Sequence, residues 1–172
     1  MQDSKNSGNI LEERLISLME QYEKDILRIC CVYLKDRSLA EDAVQETFLK
    51  AYQGLEKFRG DSSELTWLMS IAMNTCKSMQ RGLWFRFVER RIPIEELPLP
   101  APQALASSVQ ITQEVMQLPH KQQEVVLLHY YQGMKVLEVT EVLGISSPAV
   151  SKRLKQARAK LHMALEGGEV YE

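Results

Sequence analysis

An all-α fold of two small helical domains joined by a flexible linker is what this chain predicts, and three observations carry the prediction. Apolar residues recur at steps of three and four along most of the 172 residues, which is the period of helices that bury one face. Four of the six prolines, Pro93, Pro98, Pro100 and Pro102, fall within ten residues where that period lapses. Near the carboxyl end a Gly-containing turn joins two short helical patterns, the second of them cationic.

Residues 10–91 read as the first module. Leu11, Leu15, Leu18, Tyr22, Ile26, Ile29 and Tyr33 keep helical spacing over six turns and define a long core helix. Ser38 followed by Glu41 is a capping-box signature. It opens a second helix with Ala40, Val44, Phe48, Ala51 and Leu55 along one side and Glu41, Asp42, Gln45 and Glu46 along the other. A polar loop, Phe58, Arg59, Gly60, Asp61, Ser62 and Ser63, follows. A third helix runs from about Glu64, with Leu65, Leu68, Ala72, Cys76 and Met79 inward, into a basic segment.

Residues 92–108 read as the linker, with Gln103 to Ser108 continuing the proline cluster. Residues 109–166 form the second module. Its apolar run Val125 to Tyr131 could be a strand, but Pro119 at a first turn, Gly133 as a stop and the helical neighbours favour helix. Lys135 to Leu143 carries Val136, Val139, Val142 and Leu143 and ends at Gly144, a natural C′ residue. Ser147 suits an N-cap and Pro148 the first helical position. From there Val150, Leu154, Ala157, Leu161 and Leu165 share one side, while Lys152, Lys155 and Arg158 lie elsewhere on the circumference. The pair is a helix-turn-helix pattern whose second helix can meet phosphate.

The charge is uneven in a way that bears on partners. The net charge is −2, which is unsuited to unaided DNA binding because neutralising phosphate drives such affinity. Residues 135–162 nevertheless hold six Lys/Arg against two Glu, and residues 77–91 hold five against one, so each segment is +4. Two cationic surfaces on an anionic remainder fit DNA contact assisted by a larger partner.

Other classes are disfavoured. No apolar stretch approaches the roughly 18 residues that span a bilayer, and the amino terminus lacks a signal-peptide layout, so a cytoplasmic protein without membrane insertion is expected. Cys30, Cys31 and Cys76 are odd in number and two are adjacent, which points to buried free thiols and away from a disulfide framework. His120, His129 and His162 lack ligand spacing, and no phosphate-cradling glycine motif occurs. No catalytic residue, metal or cofactor is expected.

Three stretches of the first module carry a resemblance: Asp42 to Tyr52 (DAVQETFLKAY), Phe58-Arg59-Gly60, and Thr66 to Cys76 (TWLMSIAMNTC). They look like region 2 of the sigma-70 family in its extracytoplasmic-function branch. Leu118-Pro119, Gln123-Glu124-Val125-Val126, Gly133, Glu138, Leu143 to Ser146 and the Val150 to Leu161 helix resemble region 4. The likeness spans about residues 15–165, and the absence of region 1.1 and region 3 fits the branch.

The resemblance implies an alternative sigma factor that binds core RNA polymerase, through its β′ and β subunits, and directs it to promoter DNA. Glu41, Asp42, Gln45 and Glu46 would face the polymerase. Phe58, Arg59, Gly60, Asp61, Ser62 and Ser63 would capture a flipped base of the minus-10 element, with Asn74, Lys77 and Arg81 on the same element or its backbone. Ser147, Pro148, Ala149, Ser151, Lys152, Arg153, Lys155, Gln156 and Arg158 would meet the minus-35 element. Pro148-Ala149 stands where the family usually has Gly-Thr, which predicts an unusual minus-35 preference. An anti-sigma factor, often held at the membrane, is implied as a further partner.

Two other readings fit parts of the sequence. A freestanding helix-turn-helix regulator would bind DNA tightly without polymerase, against the net charge. A helical protein-binding adaptor would leave the cationic Lys152 to Lys160 stretch without a use.

Overall fold

The computed structural model describes residues 2–83 and 105–167, and every described element is a helix. Trp84, Phe85, Arg86, Phe87, Arg90, Arg91 and the four clustered prolines lie outside the described residues, as do Glu169 and Glu172.

The first module is built from α1 (Gln2–Leu34), α2 (Arg37–Leu55) and α3 (Glu64–Leu83). Ile26, Ile29, Leu55, Leu68, Met69 and Met73 fill its centre, each with almost no exposure. Every apolar position expected on the inner face of α2 is buried, and Ala43 and Thr47 join them. Ala40, Ala43, Ala51 and Ala72 carry no bulk beyond Cβ and are fully buried, so the helices approach closely where they face one another. On α1, Leu18, Ile26, Ile29 and Tyr33 are buried while Leu11, Leu15 and Tyr22 are only partly covered.

The start of α2 differs from the expectation. Asp36, not Ser38, caps it: the backbone is extended there and the carboxylate accepts from the Leu39 amide at 3.0 Å. Glu41 instead pairs with Arg37 at 2.7 Å, one turn apart. A carboxylate at N-cap outcompetes a hydroxyl two residues later because it also complements the positive end of the helix dipole.

The second module contains α4 (Leu105–Gln117), α5 (His120–Val126), α6 (Val136–Leu143) and α7 (Ser147–Gly167). Helix α4 begins at Leu105, inside the stretch that reads as linker. The apolar run after Pro119 is helical, but Leu127–Tyr131 widens into a π-turn, with the Gln132 amide donating to the Leu127 carbonyl at 3.2 Å. Gly133 follows at φ 67. Gly144 ends α6 at φ 63, a left-handed conformation that an L side chain adopts at a cost.

Helix α7 is capped one residue earlier than its sequence suggests. Ser146 Oγ accepts from the Ala149 amide at 3.3 Å, so Ser147 and Pro148 are both helical. Val150, Leu154 and Ala157 are buried as expected. All three cysteines are free and buried, with Cys30 Sγ 3.4 Å from Cys76 Sγ. Burial pushes the Cys31 thiol up to about 11, so it stays an unreactive thiol near neutral pH.

Truncating either centre exposes its energetics. Ile29→Ala in the first module and Leu127→Ala in the second should each cost about 2–5 kcal/mol, read as a lower urea midpoint with an unchanged slope.

Candidate protein-docking and nucleic-acid interfaces

The acidic face of α2 follows directly from its burial pattern. Because Ala43, Val44, Thr47 and Phe48 turn inward, Glu41, Asp42 and Gln45 are exposed and Glu46 is half-buried. Asp42, Gln45 and Glu46 rim a cleft of about 430 Å³ between α2 and α3, floored by Leu49, Thr75 and Met79. Leu49 is 53% exposed and Tyr52, one turn on, 36%. These two apolar side chains are absent from the sequence-based site, since their spacing reads as ordinary helix. They give the acidic patch an apolar centre, the composition of a protein-docking surface with a charged rim.

The loop between α2 and α3 is positioned from three sides. Phe58 stacks on Trp67 with ring centroids 4.6 Å apart at 25°. Arg14 of α1 lies over the Phe58 ring at 5.7 Å and reaches Glu64 at 3.3 Å. Ser63 Oγ accepts from the Thr66 amide at 3.1 Å and so begins α3. The Trp67 ring packs over Gly54, where a Cβ would meet Cζ2 at 3.4 Å in ordinary contact. The loop bends at Gly60, φ 76. A cleft of about 320 Å³ opens beside it, lined by Phe58, Arg59, Asp61, Ser62 and Trp67. Phe58 is thus half-buried as a wall of the cleft, while Arg59, Gly60, Asp61 and Ser63 are exposed.

Asn74, Lys77 and Arg81 fall on one stripe of α3 and face the second module across a cavity of about 810 Å³. Asn74 and Arg81 are exposed, whereas Lys77 Nζ pairs with Glu124 of α5 at 3.3 Å. On α7, Pro148, Ser151, Lys152, Lys155, Gln156 and Arg158 are exposed and Ser147 and Ala149 half-buried. Arg153 turns back to Glu124 at 3.7 Å. Lys152, Arg153 and Gln156 share a cleft of about 450 Å³ with His120, Lys121 and Gln122. The structure therefore brings the α7 residues together, but it places Lys77 and Arg153 on one carboxylate.

That carboxylate is a feature which spacing alone does not single out. Glu124 is 5% exposed, and it also accepts from the Tyr33 hydroxyl at 3.3 Å. Burial and then the charge of Glu124 push the Tyr33 phenol well above its ordinary range, so it remains a donor. The one available signal is a charge inside the apolar run Gln123-Glu124-Val125-Val126. Beside it His120 tilts against Tyr33 with centroids 4.8 Å apart and contacts Gln80. Among the described residues no group of three or more His, Cys, Asp or Glu could hold a metal, and no helix is long and apolar enough to cross a membrane.

Two helical modules, one with an acid-rimmed docking face and one with a helix-turn-helix, define the class of protein. The comparisons agree. The family description "Sigma-70 region 2" matches residues 18–86 and "Sigma-70, region 4" matches residues 108–161. The chain is 32% identical over 151 residues to RNA polymerase sigma factor YlaC of Bacillus subtilis, covering 84% of this chain and 87% of that one. It is 26% identical over 168 residues to the ECF RNA polymerase sigma factor SigW of the same organism, covering 90% of each. Among solved structures it resembles CnrH in complex with the cytosolic domain of CnrY, with a TM-score of 0.71 and 26% identity over 91% of this chain and 90% of that one. The chain belongs to the sigma-70 family of RNA polymerase sigma factors, in the extracytoplasmic-function branch.

His120 gives the contact between the modules a pH dependence. Burial, and after it the Lys35 ammonium, hold the imidazole below its ordinary value, while Glu124 and Gln123 pull the other way. The neutral ring is the form the fold prefers, so its contribution is complete above about pH 6.5 and declines as pH falls below that. The protection factors of the α5 amides, with the intrinsic pH dependence of exchange divided out, should fall between pH 6.5 and 5 in the native chain, and less so in His120→Gln.

Proposed function

We propose that this chain is the promoter-specificity subunit of an RNA polymerase: it docks on the core enzyme through the α2 face and directs it to promoters by reading minus-10 and minus-35 elements. The observation that carries the reading is the pairing of an acid-rimmed apolar face, Asp42, Gln45, Glu46 and Leu49, with a separate exposed cationic helix, Lys152, Lys155 and Arg158. One surface suits a protein and the other a phosphate backbone. The polymerase supplies the chemistry; the sigma subunit supplies position, with no catalytic group, metal or cofactor of its own.

The division of labour follows the modules, which we place at residues 10–91 and 109–166 about a 92–108 linker. Arg59, Gly60, Asp61, Ser62 and Ser63, with Phe58 as a wall, would hold an extruded base in the cleft beside Trp67. Extrusion reads a base that duplex stacking hides. Asn74, Lys77 and Arg81 would follow the same strand. Ser147, Pro148, Ala149, Ser151, Lys152 and Gln156 at the start of α7 would meet base edges, while Arg153, Lys155 and Arg158 would meet phosphates. Such a protein acts in the cytoplasm. An anti-sigma factor, held at the membrane, would withhold it; that CnrH is seen with the cytosolic domain of CnrY supports control by a protein partner.

Run-off transcription with purified core polymerase and fragments of the native genome tests the whole reading, with promoter-dependent product only when the chain is present as the expected result. Asp42→Asn with Glu46→Gln should weaken core binding by roughly tenfold, about 1.4 kcal/mol, in a competition assay against a second sigma factor. Lys155→Ala with Arg158→Ala should reduce the slope of log affinity against log salt for promoter DNA by about 2. Unchanged assembly and an unchanged slope would together remove the basis of both surfaces.

A further inference from the structure

We infer that the free chain has a third nucleic-acid site beyond the two promoter surfaces: a trough that crosses both modules and takes one single strand of DNA or RNA. Two clefts adjoin to form it. The cavity of about 810 Å³ between the modules and the cleft of about 450 Å³ between the starts of α5 and α7 share His120 and Lys121 in their walls. Trp67, Lys50 and Arg81 line the first part of the path, and Lys152 and Gln156 the part beyond Lys121.

Charge selects the class of occupant. Among the described residues six cations line the trough, Lys50, Lys77, Arg81, Lys121, Lys152 and Arg153, against the carboxylate of Glu124. On a chain of net charge −2, so many like charges along one path repel one another, and a polyanion relieves the repulsion. Lys50 pairs with Glu46 at 3.4 Å, and Lys77 and Arg153 share Glu124. Arg81, Lys121 and Lys152 are exposed and enter no ion pair among the described residues. They come one each from α3, α5 and α7, so the phosphates of a strand meet an uncommitted cation on each of these helices. Shape then selects one strand over a duplex. Clefts of these volumes match pockets for small ligands and admit about one or two nucleotides each. The half-buried rings of Trp67 and His120 stand in the walls, and rings beside cations hold bases and backbone without reading sequence. Half of this path belongs to the second module, which separates it from the promoter strand held at the Phe58 to Ser63 loop. A strand in the trough also covers Arg81 and Lys152, which the promoter reading uses, so strand and promoter compete.

Fluorescence anisotropy on the full chain without polymerase tests the trough, with labelled thymidine and uridine homopolymers of about 12 nucleotides. Both should bind, because phosphates and bases are common to DNA and RNA, and the tighter of the two identifies the natural source. A duplex of the same length, and ATP at equal nucleotide concentration, should each compete at least about tenfold more weakly than an unlabelled strand. Lys121→Ala with Lys152→Ala should weaken strand binding and lower the slope of log affinity against log salt by about 1.4. Lys155→Ala with Arg158→Ala removes the same charge from exposed positions of α7 outside the trough and should leave strand binding unchanged. Circular dichroism melting checks that both variants fold. Equal loss in the two double variants, no loss at Lys121 and Lys152, or a duplex or ATP that competes as well as the strand would overturn the trough. Run-off transcription is independent of these readouts: its failure removes the sigma reading, whereas normal run-off with no strand binding removes only the trough.

Discussion

Each helix of this chain buries one stripe and leaves the remainder in water, and the function depends on what is left outside. On α2 the inward stripe is rich in alanine and so lets α1 and α3 approach closely. The same 100° step that sends Ala43, Val44, Thr47 and Phe48 to the core sends Glu41, Asp42, Gln45 and Leu49 to the surface. On α7 the period that buries Val150, Leu154 and Ala157 exposes Lys152, Lys155 and Arg158. A change that shifted either helix by one residue would bury charge and expose apolar surface at once, so the docking faces are as firmly placed as the core.

The polar loop between α2 and α3 borrows its rigidity from this scaffold. The segment from Phe58 to Ser63 has few contacts of its own, but Trp67 holds Phe58 from α3 and Arg14 holds it from α1. Individually the exposed Arg14–Glu64 pair is worth little. Together with the stacked rings and the Ser63 cap it confines the loop in a shape that leaves a cleft of about 320 Å³ beside it.

The contact between the modules follows a different logic. Tyr33, Lys77, Gln80, His120 and Glu124 place polar contacts across it, beside a cavity of about 810 Å³. Burial of the Glu124 carboxylate ties closure to charge, and the neutral form of His120 ties it to pH.

Much of the fold and the charge of its exposed faces are legible in the sequence, because helical period, Gly133 and Gly144 as stops, and clustered charge are local properties that need no neighbour. The acidic face of α2, the polar loop and the cationic side of α7 all follow from them. Cap choice was harder: Asp36 and Ser146 each compete with an equally plausible residue nearby, and only backbone dihedrals decide between them. The exposure of Leu49 and Tyr52 depends on which helices pack where, and the π-turn at Leu127–Tyr131 on how the chain returns toward α6. What the chain determined by itself is the set of amphipathic helices and the sign of charge on each, since both arise from spacing along one strand of residues. What only tertiary structure decided is that Tyr33, Lys77 and Arg153 meet at Glu124, because Tyr33 and Glu124, 91 residues apart, touch only after the two modules have been brought face to face.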